Sequence, residues 1–179
     1  MLHDDGACQH LMGARLPPVV LASTDGDMIE LAEIPGRVLL YIYPRTSRPD
    51  EPPLEGWATI PGARGCTAQS CAFRDRHAEL RSLNVTEVYG LSTQDSTYQR
   101  EMVRRLGLPF PVLGDDKLEF ATSLQIPTFA VGAHVLLKRV TLIIDDGAIT
   151  CVFYPITLPE RNPDEVVALD QPQPIGTRQ

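Results

Sequence analysis

RVLLYIYP (residues 37–44) and GCTAQSCAFRD (residues 65–75) are the two stretches that decide the fold. The first is a near-continuous run of β-forming apolar residues from Val38 to Tyr43, without polar alternation. That is the pattern of a strand buried on both faces of a parallel or mixed sheet. The second opens on Gly65-Cys66 and then turns helical, with Ala68, Ala72, Phe73, Leu80 and Leu83 offering a face for burial up to about residue 83. Strand, loop and helix in that order begin a β-loop-α unit. A reactive group at the head of its helix would stand at the carboxyl end of the sheet, where α/β folds place their sites.

The flanking sequence agrees. VVLAST (19–24) and MIELAEI (28–34), separated by Asp25-Gly26-Asp27, read as a hairpin. EVYGLST (87–93) reads as the next strand. Asp95 to Leu106 reads as a helix with Tyr98, Met102, Val103 and Leu106 inward and Gly107 as its stop. A short strand at PVLGD (111–115) and a short helix near 117–124 follow. RVTLIID (139–145) and ITCVFYP (149–155) are strands joined by Asp146-Gly147, a strong hairpin signal. Asn162-Pro163-Asp164-Glu165 opens a last helix, with Asn162 as N-cap. The expected fold class is α/β, a mixed sheet flanked by helices. The expected organisation is a loose leader at 1–16, a single domain at 17–172 and a tail at 173–179.

A chain of 179 residues suits one domain and buries a core without disulfide staples. The net charge of −7 argues against nucleic acid or an anionic membrane as partner. No apolar run approaches a membrane span, and the N-terminal residues lack a signal peptide's apolar region, so the expected location is the cytoplasm. Four cysteines there are free, catalytic or metal-binding before they are structural. The acidic composition favours a monomer.

Cys66 stands where a long Pro- and Gly-rich loop (44–65) becomes a helix, and free N–H groups at a helix start stabilise a thiolate. A thiolate attacks the O–O bond of a peroxide, giving a sulfenic acid that condenses with a second thiol. Cys71 is the natural second thiol. Five residues of ideal helix, however, hold the two Cα atoms roughly 8–9 Å apart, beyond disulfide reach. A Cys66–Cys71 bond therefore requires the first turns to unwind. Packing of both cysteines in the core is the plain alternative. Zinc is disfavoured because the histidines at 3, 10, 77 and 134 show no ligand spacing, so no metal or cofactor is expected. Cys151 reads as core and Cys8 as a spare thiol.

From Leu16 to Leu169 the chain resembles the peroxiredoxins, closest to the bacterioferritin comigratory protein branch. GCTAQSCAFRD carries the most specific part of that likeness. LPPVVLASTDGDMIELAEIPGRVLLYIYP (16–44), LGLPFPVLGD (106–115), RVTLIIDDGAI (139–149) and VFYPITLPERNPDEVVAL (152–169) carry the rest. The resemblance implies a thioredoxin-like fold and a peroxidase for hydrogen peroxide or organic hydroperoxides, restored by a thioredoxin-like reductant. It makes Cys66 the peroxide-attacking residue, Cys71 its resolving partner, and Arg139 the arginine facing the thiolate. Pro44, Thr59 and Thr67 are the candidate substrate-binding residues. The family places Pro seven and Thr three residues before the reactive cysteine, and here those positions hold Thr59 and Ala63. Pro44 ends the strand as the family proline does, but an inserted stretch of about 15 residues separates it from Cys66, and such loops are usually functional. Thr46, Ser47 or Thr59 are candidates to replace the missing hydroxyl, and Trp57 to pin the loop. The insertion also keeps open a redox sensor or partner-binding protein. A disulfide oxidoreductase fits less well, because the C-x-x-C spacing is absent.

Overall fold

The computed structural model describes residues 3–169, so the expected tail at 173–179 lies outside the described residues. The strands are β1 (Val20–Ser23), β2 (Met28–Glu30), β3 (Arg37–Ile42), β4 (Val85–Ser92), β5 (Val112–Gly114), β6 (Thr128–Val131), β7 (His134–Leu137), β8 (Val140–Asp145) and β9 (Ala148–Phe153). The helices are α1 (Cys66–Asp75), α2 (His77–Ser82), α3 (Ser96–Leu106), α4 (Glu119–Ser123) and α5 (Asn162–Leu169). Seven strands form one mixed sheet in the order β2-β1-β5-β4-β3-β8-β9, with β3, β4 and β5 parallel and the other pairs antiparallel. This is the α/β mixed sheet that the element order predicts, and it agrees with the thioredoxin-like fold that the resemblance implies.

β3 shows why its sequence does not alternate. Val38, Leu40 and Ile42 enter one core with Leu113, Phe120 and Leu142, while Leu39, Tyr41 and Tyr43 enter a second with Phe73, Leu80 and Met102. All six β3-side residues are fully buried, each apolar side chain stabilising the fold by roughly 1.5–3 kcal/mol. The second core carries α1, α2, α3 and α5, so Cys66 sits on a layer supported from beneath by β3. At the β8–β9 turn Asp146 and Gly147 both have positive φ, and a Cβ on Gly147 would lie 2.7 Å from the Ala32 carbonyl.

Four features differ from the sequence reading. Residues 1–16 are not loose from residue 3 onward. Cys8, Leu11 and Leu16 are buried in the first core, and the backbone at Gly13, Ala14 and Leu16 bonds to Ile149 and Gly147, closing the outer edge of β9. The stretch expected to be one helix at 67–83 breaks at Arg76, whose guanidinium pairs with Asp164 of α5 and with Glu79. The β6–β7 hairpin was not expected, although TFAV and HVLL flank a Gly132-Ala133 turn. Asn162 is not an N-cap. It has helical φ and ψ, a short 3₁₀ turn (Pro159–Arg161) precedes it, and its side chain is fully buried.

A polar clasp ties the leader down. Lys138 Nζ and Tyr154 Oη donate to the two oxygens of Asp5 at 2.7 and 2.8 Å. Lys138 first, then Tyr154, lowers the Asp5 carboxyl from the usual 3.8 to about 2. A carboxylate depressed in the folded state stabilises it above the ordinary carboxylate value and loses that contribution as pH falls through the folded value. The leader should therefore stay docked down to about pH 4 and release between there and about pH 2. Amide exchange at Gly6 and Ala7, followed by NMR across that window, checks this. Release already at pH 5 would contradict it.

Candidate active site

Gly65 precedes α1 with φ +98°, a left-handed conformation that L side chains rarely adopt. A Cβ there would stand 2.8 Å from Pro159 Cγ, in the rigid turn packed against the helix start. Gly65→Ala is expected to cost at least about 2 kcal/mol of stability through strain and displacement of Pro159, read as a shift in the urea midpoint. An unshifted midpoint would show that this junction is not tight.

Cys66 is the first residue of α1 and is 5% exposed. Its sulfur meets two groups: Arg139 Nη2 donates to Sγ at 3.2 Å, and the Ala63 carbonyl lies 3.5 Å away. Arg139, immediately before β8, is 4% exposed and thus no surface arginine. Its Nη1 donates to Gln69 Oε1. Its Nη2 also reaches the carbonyls of Arg64 at 3.0 Å, Gly62 at 3.3 Å and Ala63 at 3.5 Å. Those partners are neutral. Among the groups bonded to the guanidinium in the described residues, the Cys66 sulfur is the only thiol. Arg139 Nε is buried without a hydrogen-bond partner in the described residues.

A buried polar chain fixes the arginine. Gln69 Nε2 donates to Asn162 Oδ1 at 3.0 Å, and Thr141 Oγ1 donates to the same oxygen at 2.7 Å. Gln69, Thr141 and Asn162 are all fully buried. Gln69 and Asn162 were missed from sequence. The buried positions of α1 are Cys66, Gln69, Ser70 and Phe73, an i, i+3, i+4, i+7 face. The apolar reading chose Ala68, which faces solvent, and Ala72, which is half-buried. Taking the cysteine itself as the inward position would have found Gln69. Beneath this face Tyr41 stacks on Phe73, meets Phe110 edge-on, and donates to Ser70 Oγ at 3.2 Å.

The remaining expected residues divide. Pro44 is buried at the end of β3. Thr59 is exposed and donates its hydroxyl to the Gly56 carbonyl at 2.8 Å. The Thr67 side chain is also exposed, which leaves its backbone N–H, one of the unpaired donors at the helix start, as its means of contact. Thr46 is buried, with its backbone N–H and carbonyl held by the Gln94 amide at 2.8 Å each. The 44–65 loop is anchored at two points. Arg48 lies 4.6 Å over the Tyr98 ring, and Trp57 stacks on Phe129 of β6 at 6.5 Å.

All four cysteines are free thiols. Cys71 is half-buried on the uninterrupted α1, so the helix through 66–71 corresponds to the reduced form. Burial raises the Cys8 thiol to about 12, and Cys151 packs half-buried against the second core. Among the described residues no group of three or more His, Cys, Asp or Glu side chains is placed to hold a metal ion. No helix among them is long and apolar enough to cross a membrane.

A cysteine at the head of a helix over a mixed α/β sheet, with a buried arginine on its sulfur, is an arrangement suited to a thiol-dependent redox enzyme. The chain belongs to the redoxin family, whose sequence profile matches residues 11–168, and within it to the peroxiredoxins. Chloroplastic peroxiredoxin Q of Sedum lineare is 29% identical over 161 residues, which are 89% of this chain and 77% of that protein. Across the chloroplastic relatives it matches, the chain spans 64–77% of their length. Two solved structures share the fold. Peroxidoxin BcpB from Mycobacterium tuberculosis superposes with TM-score 0.71 at 21% identity, covering 89% of this chain and 95% of that one. The bacterioferritin comigratory protein of Xanthomonas campestris superposes with TM-score 0.68 at 17% identity, covering 87% and 94%.

Proposed function

We propose that this peroxiredoxin reduces hydrogen peroxide or organic hydroperoxides at Cys66 and is recycled by a thioredoxin-like dithiol. The observation that carries the reading is the 3.2 Å contact from Arg139 Nη2 to Cys66 Sγ, both buried at the head of α1. The Cys66 thiolate attacks the outer oxygen of RO–OH. An S–O bond forms, the O–O bond breaks, and the leaving RO⁻ takes a proton to depart as ROH. Arg139 stabilises charge on the sulfur and then on the separating oxygens, with its unpaired Nε–H a further donor for one of them. Pro44 shields the thiolate, and the Thr67 backbone N–H faces the incoming oxygen. Cys71 then attacks the sulfenic sulfur, water leaves, and a Cys66–Cys71 disulfide forms after the first turns of α1 unwind. Two thiol–disulfide exchanges with the dithiol restore both thiols and oxidise the donor. Four free cysteines suit a reducing compartment such as the cytoplasm.

Peroxide consumption coupled to a thioredoxin system tests this. Wild type should turn over continuously. Cys71→Ser should give one fast oxidation per molecule and then lose at least about tenfold in dithiol-driven turnover, because no internal thiol resolves the sulfenic acid. Undiminished turnover of Cys71→Ser would remove that cysteine from the cycle. Absence of turnover in the folded wild type would remove the peroxidase reading itself.

A further inference from the structure

The chain carries a net charge of −7, yet arginines gather on one face of it without acids to match them. An open groove of about 600 Å³ runs along α3 and is lined by Arg48, Thr97, Arg100, Glu101, Arg104 and Arg105. Glu101 and Arg105 pair with each other at 2.6 Å. Arg48, Arg100 and Arg104 have no carboxylate within salt-bridge distance among the described residues. Arg100 and Arg104 stand about one turn apart on α3, a spacing at which like charges repel and weaken a helix. Helix formation gains nothing from this pair, whereas a bound anion offsets its repulsion.

Two of the three unpaired arginines are held in place. Arg100 Nε donates to the Thr24 carbonyl at 2.8 Å, which leaves both its Nη groups without a protein partner among the described residues. Arg48, from the 44–65 loop, lies over the Tyr98 ring of α3. Arg104 is exposed. A guanidinium already fixed loses little freedom when an anion binds, and its planar fork matches a carboxylate with two parallel hydrogen bonds.

Arg100 and Arg104 also line a second open groove, of about 580 Å³, together with Val103, Pro109 and Pro111. Asp25 is the acid in that lining, and it already accepts from the Ser23 hydroxyl. The shared arginines put a cationic groove and a partly apolar one side by side. An occupant that spans both needs negative charge in one part and an apolar group in the next. A single phosphate has no use for the apolar part, and a flat lipid surface does not enter a concave one.

We propose that the two grooves form a docking surface for an acidic segment of a partner protein, with carboxylates on Arg48, Arg100 and Arg104 and an apolar side chain against Val103, Pro109 and Pro111. The proposal is independent of the peroxidase reading. It also gives the 44–65 loop a part in partner binding, through Arg48.

The probe is a fluorescein-labelled peptide of four glutamates followed by leucine and phenylalanine, titrated with the full-length protein and followed by anisotropy. The same peptide with glutamines in place of the glutamates controls for charge. Arg104→Glu and Arg81→Glu change the net charge equally, but Arg104 lines both grooves, whereas Arg81 is an exposed residue of α2 that lines neither. Wild type should bind the acidic peptide saturably, with Kd of about 0.1 mM at about 20 mM ionic strength, and at least about tenfold more weakly at about 0.2 M. Arg104→Glu should weaken binding at least about fivefold and Arg81→Glu less than about twofold, with peroxide turnover unchanged in both. No saturable binding by wild type, equal losses in the two variants, or equal binding of the glutamine peptide overturns the proposal. Binding of wild type to anionic lipid vesicles but not to the peptide would assign the surface to a membrane and overturn it as well. If wild type binds the peptide through Arg104 but reduces no peroxide, the docking surface stands and the peroxidase reading fails.

Discussion

Cys66→Ser is expected to lose at least about 10³-fold in peroxide reduction while folding as the wild type does. Serine is nearly isosteric and can keep the contact to the Ala63 carbonyl, so little packing changes at a position that is 5% exposed. What disappears is the nucleophile. A hydroxyl at neutral pH is not ionised, and Arg139 then has an alcohol in place of a sulfur able to hold negative charge. Circular dichroism and the thermal midpoint serve as the folding control. Retention of more than a tenth of the activity in a folded Cys66→Ser protein would place the chemistry elsewhere, with Cys71 the first candidate.

Arg139→Met is expected to lower kcat/KM by about 10²–10³-fold, the range seen when a donor to developing negative charge is removed. It should also destabilise the protein by roughly 2–4 kcal/mol, because the Gln69 amide oxygen and the carbonyls at 62, 63 and 64 lose their shared donor in a buried setting. The two effects are separable. Alkylation of Cys66 at neutral pH, followed by mass spectrometry, reads thiolate reactivity without peroxide and should slow along with catalysis. Arg139→Lys retains a charge but not the fork that serves Gln69 and the loop carbonyls together, so its recovery should be partial at best. Equal alkylation rates in wild type and Arg139→Met would mean that the arginine holds the loop rather than the thiolate.

The fold was legible where one physical pressure dominated. The run at 37–43 could only be a strand buried on both faces, and Asp146-Gly147 could only be a tight turn, with both residues at positive φ. Of the candidate site, Cys66 was read from its place at a helix start and Arg139 from the resemblance, and the two side chains meet at 3.2 Å. The site was not legible at Gln69 or Asn162, because amides score as surface residues until one knows that a buried guanidinium needs neutral acceptors. The leader was misjudged for a related reason. It read as a loose segment, yet Cys8 and Leu11 enter the core and Asp5 finds Lys138, a residue 133 positions away. Thr59 was chosen as a loop hydroxyl that could fold back toward Cys66, and its hydroxyl bonds instead to the Gly56 carbonyl within the loop.

The most direct test is a single turnover on the fully reduced protein. One equivalent of hydrogen peroxide is added, thiols are blocked within a second, and the state of each cysteine is mapped by peptide mass spectrometry. The account predicts Cys66 oxidised first, as sulfenic acid or as a disulfide to Cys71, with Cys8 and Cys151 still reduced. Cys66 still a free thiol after the peroxide has been consumed, or oxidation beginning at any other cysteine, would contradict it.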